Sequence, residues 1–123
     1  IKEAEIIKKT HFLSVARVEN TTSVNILRAI TGLDAGESEA LILYGEQRAD
    51  LLLMDERKGR SVAKQLNIMF MGTVGILMLA FDKNLLQAEE VNLCLDSMIT
   101  NGIRLDKKIC NMVMSHVGLD TRY

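Results

Sequence analysis

Four apolar residues in a row, Leu51-Leu52-Leu53-Met54, run straight into Asp55-Glu56-Arg57. A strand with one face in water alternates apolar and polar residues, whereas an unbroken apolar run needs cover on both faces. A second such run, Ile68-Met69-Phe70-Met71, follows a segment of helical spacing in which Val62, Ala63 and Leu66 share a face. Strand, helix and strand in that order make a crossover unit with parallel pairing, which places the chain in the α/β class.

The flanking segments extend this pattern. Residues 1–9, with Ile6 and Ile7 set against Lys and Glu, read as the end of an amphipathic helix, and residues 12–18 read as a strand. Thr21 or Thr22 is placed to cap a helix with Val24, Leu27 and Ile30 at three-residue steps, and Gly32 to stop it. The spacing then predicts a helix over 36–48, a strand over 50–54, a helix over 58–66 and a strand over 68–71. Residues 73–82 are apolar nearly all round, the pattern of a central helix. Val91, Leu95, Met98 and Ile99 mark one face of the next helix, ended by Asn101-Gly102, and Leu105, Ile109, Val113 and His116 mark the last. Three strands are few for so many helices, since sheets usually hold about 4 to 6. A strand is therefore expected before Ile1, with this chain as the ordered part of something longer. Proline, repeats and low-complexity segments are all absent, so residues 1–123 are read as one domain.

Composition narrows the function classes. With 48% hydrophobic and 25% charged residues the chain can bury a real core. The balance of 15 Lys+Arg against 16 Asp+Glu gives no basic excess, so attraction to nucleic acid would have to come from a local patch. The uncharged, mainly apolar run of residues 68–81 is 14 residues broken by Gly72 and Gly75, short of the roughly 20 a membrane span needs. Cys94 and Cys110 lack metal-ligand spacing and read as reduced thiols of a cytoplasmic protein. Seven Met against 4% aromatic residues suggests an adaptable aliphatic core with little surface for stacking on bases.

The acids carry the chemistry. Glu37, in the first turn of a helix, and Asp55, at the end of a strand, stand where an α/β fold gathers its functional groups, and together they could hold a divalent metal. Each also has a structural explanation. Asp34 and Glu37 fit the capping-box spacing, and Asp55 could cap the helix after its strand. Glu39 lies about 200° round the axis from Glu37, so the two do not easily serve one site. Arg57, Lys58 and Arg60 follow Asp55 and could meet backbone phosphates, or simply form a solvated helix start. Thr73, within Gly72-Thr73-Val74-Gly75, could also approach a phosphate, although tight strand-to-helix packing accounts better for the glycines. His11 and His116 have no nucleophile or metal-ligand companion.

Three motifs in order carry a family resemblance: Gly36-Glu37-Ser38-Glu39-Ala40-Leu41-Ile42-Leu43, then Ala49-Asp50-Leu51-Leu52-Leu53-Met54-Asp55-Glu56-Arg57-Lys58-Gly59-Arg60, then Gly72-Thr73-Val74-Gly75-Ile76-Leu77. Over about residues 12–117 the chain resembles the prokaryotic PIN-domain proteins described as nucleic-acid-binding. The resemblance implies a three-layer α/β/α sandwich with a short parallel sheet, its first strand missing here. It also implies a metal-dependent ribonuclease using magnesium or manganese, with RNA as substrate. Many such proteins are the toxin of a toxin–antitoxin pair, which adds an antitoxin as a partner. Glu37 and Asp55 match the family's acids as catalytic and metal-binding residues, with Glu39 and Glu56 as further metal neighbours. The family's acid at the end of the first strand and its acid on an early helix have no match, and Glu3 and Glu5 lie too close to residues 12–18 to supply the second.

Two other readings stay open. A PIN-like module that no longer cleaves would also lack acids. A phospho-acceptor receiver domain would use an Asp at the end of a strand like 51–55, but would need a later Lys at a strand end and more alternating strands. An exposed sheet edge left by an absent strand would favour a homodimer.

Overall fold

The computed structural model describes residues 2–123, with side chains from Ala4 onward. Its elements in chain order are α1 (Lys2–Lys9), α2 (Thr21–Thr31), α3 (Ala35–Glu46), β1 (Leu52–Leu53), α4 (Arg57–Gln65), β2 (Phe70–Met71), α5 (Thr73–Asp82), α6 (Ala88–Thr100) and α7 (Lys107–His116). The strands pair in parallel, Leu52 with Phe70 and Leu53 with Met71, joined by α4 as the crossover. The α/β assignment therefore holds, with helix dominating and two strands among the described residues rather than three. A further strand before Ile1 lies outside those residues.

Residues 12–18 form no strand. Phe12 is 78% and Val15 95% exposed, and the segment pairs with neither strand. Propensity alone does not make a strand: without a partner ladder its backbone groups gain nothing over water, and its apolar side chains find no surface. The cap of α2 is likewise not Thr21 or Thr22 but Asn20, whose Oδ1 accepts from the Ser23 amide at 2.9 Å. Val24 is buried and Leu27 half-buried, but Ile30 is 77% exposed.

Helix ends follow one device. Arg48, Asn67, Asn84, Gly102 and Gly118 all adopt positive φ just after α3, α4, α5, α6 and α7. The next amide in each case, that of Ala49, Ile68, Leu85, Ile103 or Leu119, donates to the carbonyl five residues back at 2.8–3.0 Å. This is the left-handed closure that satisfies orphan carbonyls and turns the chain sharply. At Arg48 it reverses α3 into β1, and at Asn67 it returns α4 toward β2.

The interior divides in two. Leu33, Leu41, Leu52, Met54, Val62 and Ala63 form a core between α3, α4 and the sheet. Val91, Leu95, Val113, Met114 and Val117 form a second, between α6 and α7, with Val74, Leu77, Met78 and Phe81 of α5 against it. Each fully buried aliphatic side chain there contributes roughly 1.5–3 kcal/mol. The expectation of a central α5 is corrected. None of its residues is buried, and Ile76 and Leu79 face solvent, because it packs by one side only. Leu66, expected inward, is 52% exposed because α4 has ended at Gln65 and the chain is turning. Ile99, Ile109 and His116 are exposed as well. Cys94 and Cys110 are free thiols.

Candidate functional site

The site is built by the ends of five elements. Because α3 reverses into β1, and β1 and β2 lead directly into α4 and α5, the amino ends of all three helices gather at the carboxyl edge of the sheet. Ligand groups in open α/β sheets concentrate at that edge. Two observations fasten it together. A Cβ placed on Gly32 would lie 2.8 Å from Lys58 Nζ, so the lysine at the start of α4 lies against the turn leading into α3. Leu33 is buried in one core with Leu52, Met54 and Val62.

Asp55 follows β1 and reaches across to the next strand–helix junction. Its Oδ1 accepts from the Thr73 amide at 2.7 Å, and its Oδ2 accepts from Thr73 Oγ1 at 2.6 Å. Asp55 therefore caps α5, not the α4 that follows its own strand; α4 has Glu56 at its N-cap with no side-chain hydrogen bond. The Thr73 hydroxyl and then the Thr73 amide hold the Asp55 carboxyl below the usual carboxylate range, against an opposing effect of burial that outweighs the further help of the Arg60 charge. The site also explains Gly72. A Cβ there would meet Asp55 Oδ1 at 2.8 Å and Arg60 Nη1 at 3.8 Å, so glycine leaves room for the carboxylate. Gly75 is constrained similarly, by Met71 Cγ at 2.8 Å.

Glu37 stands in the first turn of α3. Asp34 Oδ1 accepts from the Glu37 amide at 2.8 Å, which completes half of the capping box. The reciprocal bond is not formed, and the half-buried Glu37 carboxylate has no hydrogen-bond partner among the described residues. The full box occurs instead at α6, where Glu90 Oε1 accepts from the Gln87 amide at 2.8 Å. Ser38, next to Glu37, is wholly buried, and its Oγ has no hydrogen-bond partner among the described residues.

The other expected site residues are distributed unevenly. Arg60 is beside Asp55, and Lys58 beside Gly32, while Glu56 and Arg57 are exposed at the α4 start. Glu39 lies elsewhere: it lines a cleft of about 350 Å³ between α2 and α3, together with Arg17, Asn25, Arg28 and Ala35. Among the described residues no group of three or more His, Cys, Asp or Glu is close enough to hold a metal. Glu37 and Asp55 are each hard oxygen donors, on α3 and after β1. That suits magnesium or manganese, which take one or two carboxylates and complete their shells with water and substrate oxygen.

Two features escaped the sequence reading. The partnership of Asp55 with Thr73 had one available signal: a polar residue opening a helix directly after the neighbouring parallel strand. Arg17 and Arg28 had none, because the turn and helix between them leave no short motif.

No helix among the described residues is long and apolar enough to cross a membrane. No curated protein and no solved structure matches the chain. A family model described as a PIN domain matches residues 1–119, nearly the whole chain. The chain belongs to the PIN-domain family.

Proposed function

We propose that this chain carries active-site residues of a PIN-type ribonuclease, a metal-dependent phosphodiester hydrolase. The observation that carries the reading is the Asp55 carboxylate, held ionised and fixed in direction by both donors of Thr73 at the carboxyl edge of a parallel sheet. Asp55 follows one strand, and both of its oxygens are held at the start of the helix after the neighbouring one. In the proposal Glu37 and Asp55 hold magnesium or manganese, which when bound polarises a phosphoryl oxygen and supplies a nucleophilic water near neutral pH.

The chain's own groups do the rest. Thr73 orients Asp55 and lies where a substrate phosphate would approach α5. Arg57, Lys58 and Arg60 present positive charge to the RNA backbone at the same edge, a sequence-independent attraction weakened by salt. The same reading extends to a three-layer α/β/α sandwich with the two-stranded sheet as its middle layer. A toxin role with an antitoxin partner, and a homodimer through the open sheet edge, extend the same reading. Membership of the PIN family replaces the receiver-domain alternative.

The test is cleavage of a fluorophore–quencher RNA in magnesium or manganese by the wild-type chain, Glu37→Gln and Asp55→Asn. The wild type should cleave, and each variant should lose activity at least 100-fold, the usual order for losing a metal-linked electrostatic contribution. Activity unchanged in Glu37→Gln removes that residue from the chemistry. One specific observation favours a second reading, a PIN-like binding module without hydrolysis: the described residues hold no acidic group of three. RNA binding by the wild type without metal-stimulated cleavage would select it.

A further inference from the structure

The cleft between α2 and α3 contains charge that the proposed catalytic edge does not use. Its walls are Arg17 before α2, Thr21, Asn25 and Arg28 on one face of α2, and Ala35 and Glu39 at the start of α3. Neither arginine forms an ion pair among the described residues; the pairs found there are His116 with Asp82 and Arg122 with Asp96. The lining holds two guanidiniums and one carboxylate, and the nearby Glu46 carboxylate is engaged by two backbone amides. The shape of the cleft is fixed from behind by Glu46, near the far end of α3. The Glu46 carboxylate accepts from the Glu19 amide at 3.0 Å and the Asn20 amide at 2.8 Å, binding the amino end of α2 to α3. The segment carrying Arg17 is thus anchored beside the helix that carries Arg28.

We infer that this cleft seats a backbone phosphate of the RNA strand, clamped by Arg17 and Arg28. Guanidinium forks match phosphate oxygens two at a time, and Asn25 and Thr21 add neutral donors. The placement follows from α3. Ala35 and Glu39 line the cleft, whereas Glu37 lies about 200° away on the opposite side of the same first turn. A helix is about 10 Å across, a distance a single strand covers within a few nucleotides. A strand crossing the amino end of α3 would set one phosphate in the arginine cleft and another beside Glu37. Glu39 limits the affinity of this clamp, and its removal should strengthen it. The inference rests on the ribonuclease reading for its substrate and on the arginine geometry for its site.

The experiment measures binding apart from cleavage. A fluorescein-labelled single-stranded RNA is titrated with the whole chain in EDTA over a salt series, alongside an amide and arginine Nε–H NMR titration with inorganic phosphate. Arg17→Gln/Arg28→Gln should weaken RNA binding roughly tenfold or more, and flatten the salt dependence by about 0.7 for one phosphate lost. Glu39→Gln should tighten binding several-fold. In the wild type the Arg17 and Arg28 Nε–H signals should shift with phosphate. Arg104→Gln, which removes a cation in the turn between α6 and α7 and outside the cleft, serves as a control and should bind as the wild type does. Equal affinity and an equal salt slope in the double-arginine variant overturn the clamp while leaving the ribonuclease reading in place. Phosphate shifts without RNA affinity overturn RNA as the occupant, and the absence of both overturns the site. RNA held by the arginines but never cleaved overturns the ribonuclease reading and leaves the clamp standing.

Discussion

The Asp55–Thr73 pair is predicted to be a coupled unit whose two hydrogen bonds stabilise the fold at neutral pH. Thr73→Val removes the hydroxyl donor to Oδ2 and keeps the amide donor to Oδ1. Asp55→Asn keeps a cap of reduced charge. Hydrogen bonds to an ionised group are worth about 1.5–3 kcal/mol and a lost N-cap about 1 kcal/mol, and solvent exposure of Asp55 argues for the lower ends. Each single variant should therefore lose about 1 kcal/mol, a fall in Tm of roughly 4 °C for a chain of this size. The double variant should lose less than the sum, with a coupling of about 0.5–1 kcal/mol. Urea unfolding followed by circular dichroism measures all four corners, and Thr73→Ser should restore most of the loss. Strict additivity would refute the pairing.

The pH dependence of the same cycle has a definite sign. The folded Asp55 is more acidic than an unfolded aspartate, whose pKa is about 3.9. The unfolded chain therefore binds this proton first as pH falls, and the contribution of Asp55 is complete above that range. It is lost as pH drops below about 4 and through the lowered folded value. The stability gap between wild type and Asp55→Asn should accordingly be flat from pH 6 to 8 and should close in acid. A gap that widened as pH fell would mean that the carboxylate is destabilised in the fold, contrary to the hydrogen bonds seen.

Gly72→Ala should cost about 1–3 kcal/mol, because its Cβ would strike Asp55 Oδ1 at 2.8 Å, and a chemical-shift change at the Thr73 amide should accompany the loss. Gly45→Ala should do the opposite. Gly45 lies within α3, and a Cβ there meets nothing within 4 Å, so about 0.5–1 kcal/mol of stability should be gained in urea titration. Glu46→Ala should release the amides of Glu19 and Asn20, giving them faster hydrogen exchange than in the wild type, while α6 and α7 keep their protection.

The parts legible in the sequence share one property: their cause is local. Asp34 before a helical run, Gly32 after one, and unbroken apolar runs feeding acids are decided by residues a few positions apart, and the structure has a cap, a left-handed stop and a parallel pair there. The errors lie where the deciding partner is remote. Phe12, Leu13 and Val15 have the composition of a strand but meet no ladder. Residues 73–82 have the composition of a buried helix, yet α5 finds a partner on one side only. Asp55 offered two local explanations, metal ligand or cap of the next helix. Its observed partner, Thr73, is eighteen residues away and reached only because β1 and β2 pair in register.

That register makes Asp55 and Glu37 different kinds of evidence. At Asp55 stability and the proposed chemistry share the same atoms, since the bonds that cap α5 also favour the ionised carboxylate and fix its direction. Loss of activity in Asp55→Asn would therefore mix two causes. Glu37 is less entangled: its amide is used by Asp34, and its carboxylate makes no hydrogen bond among the described residues. An acid in the first turn of a helix gains at most a modest dipole contribution, about 0.3–1 kcal/mol, which Gln would lose. Glu37→Gln should therefore leave Tm within roughly 4 °C of the wild type. If it also leaves RNA cleavage intact, the charge of Glu37 has no chemical purpose, and the metal-pair reading fails at its cleaner half.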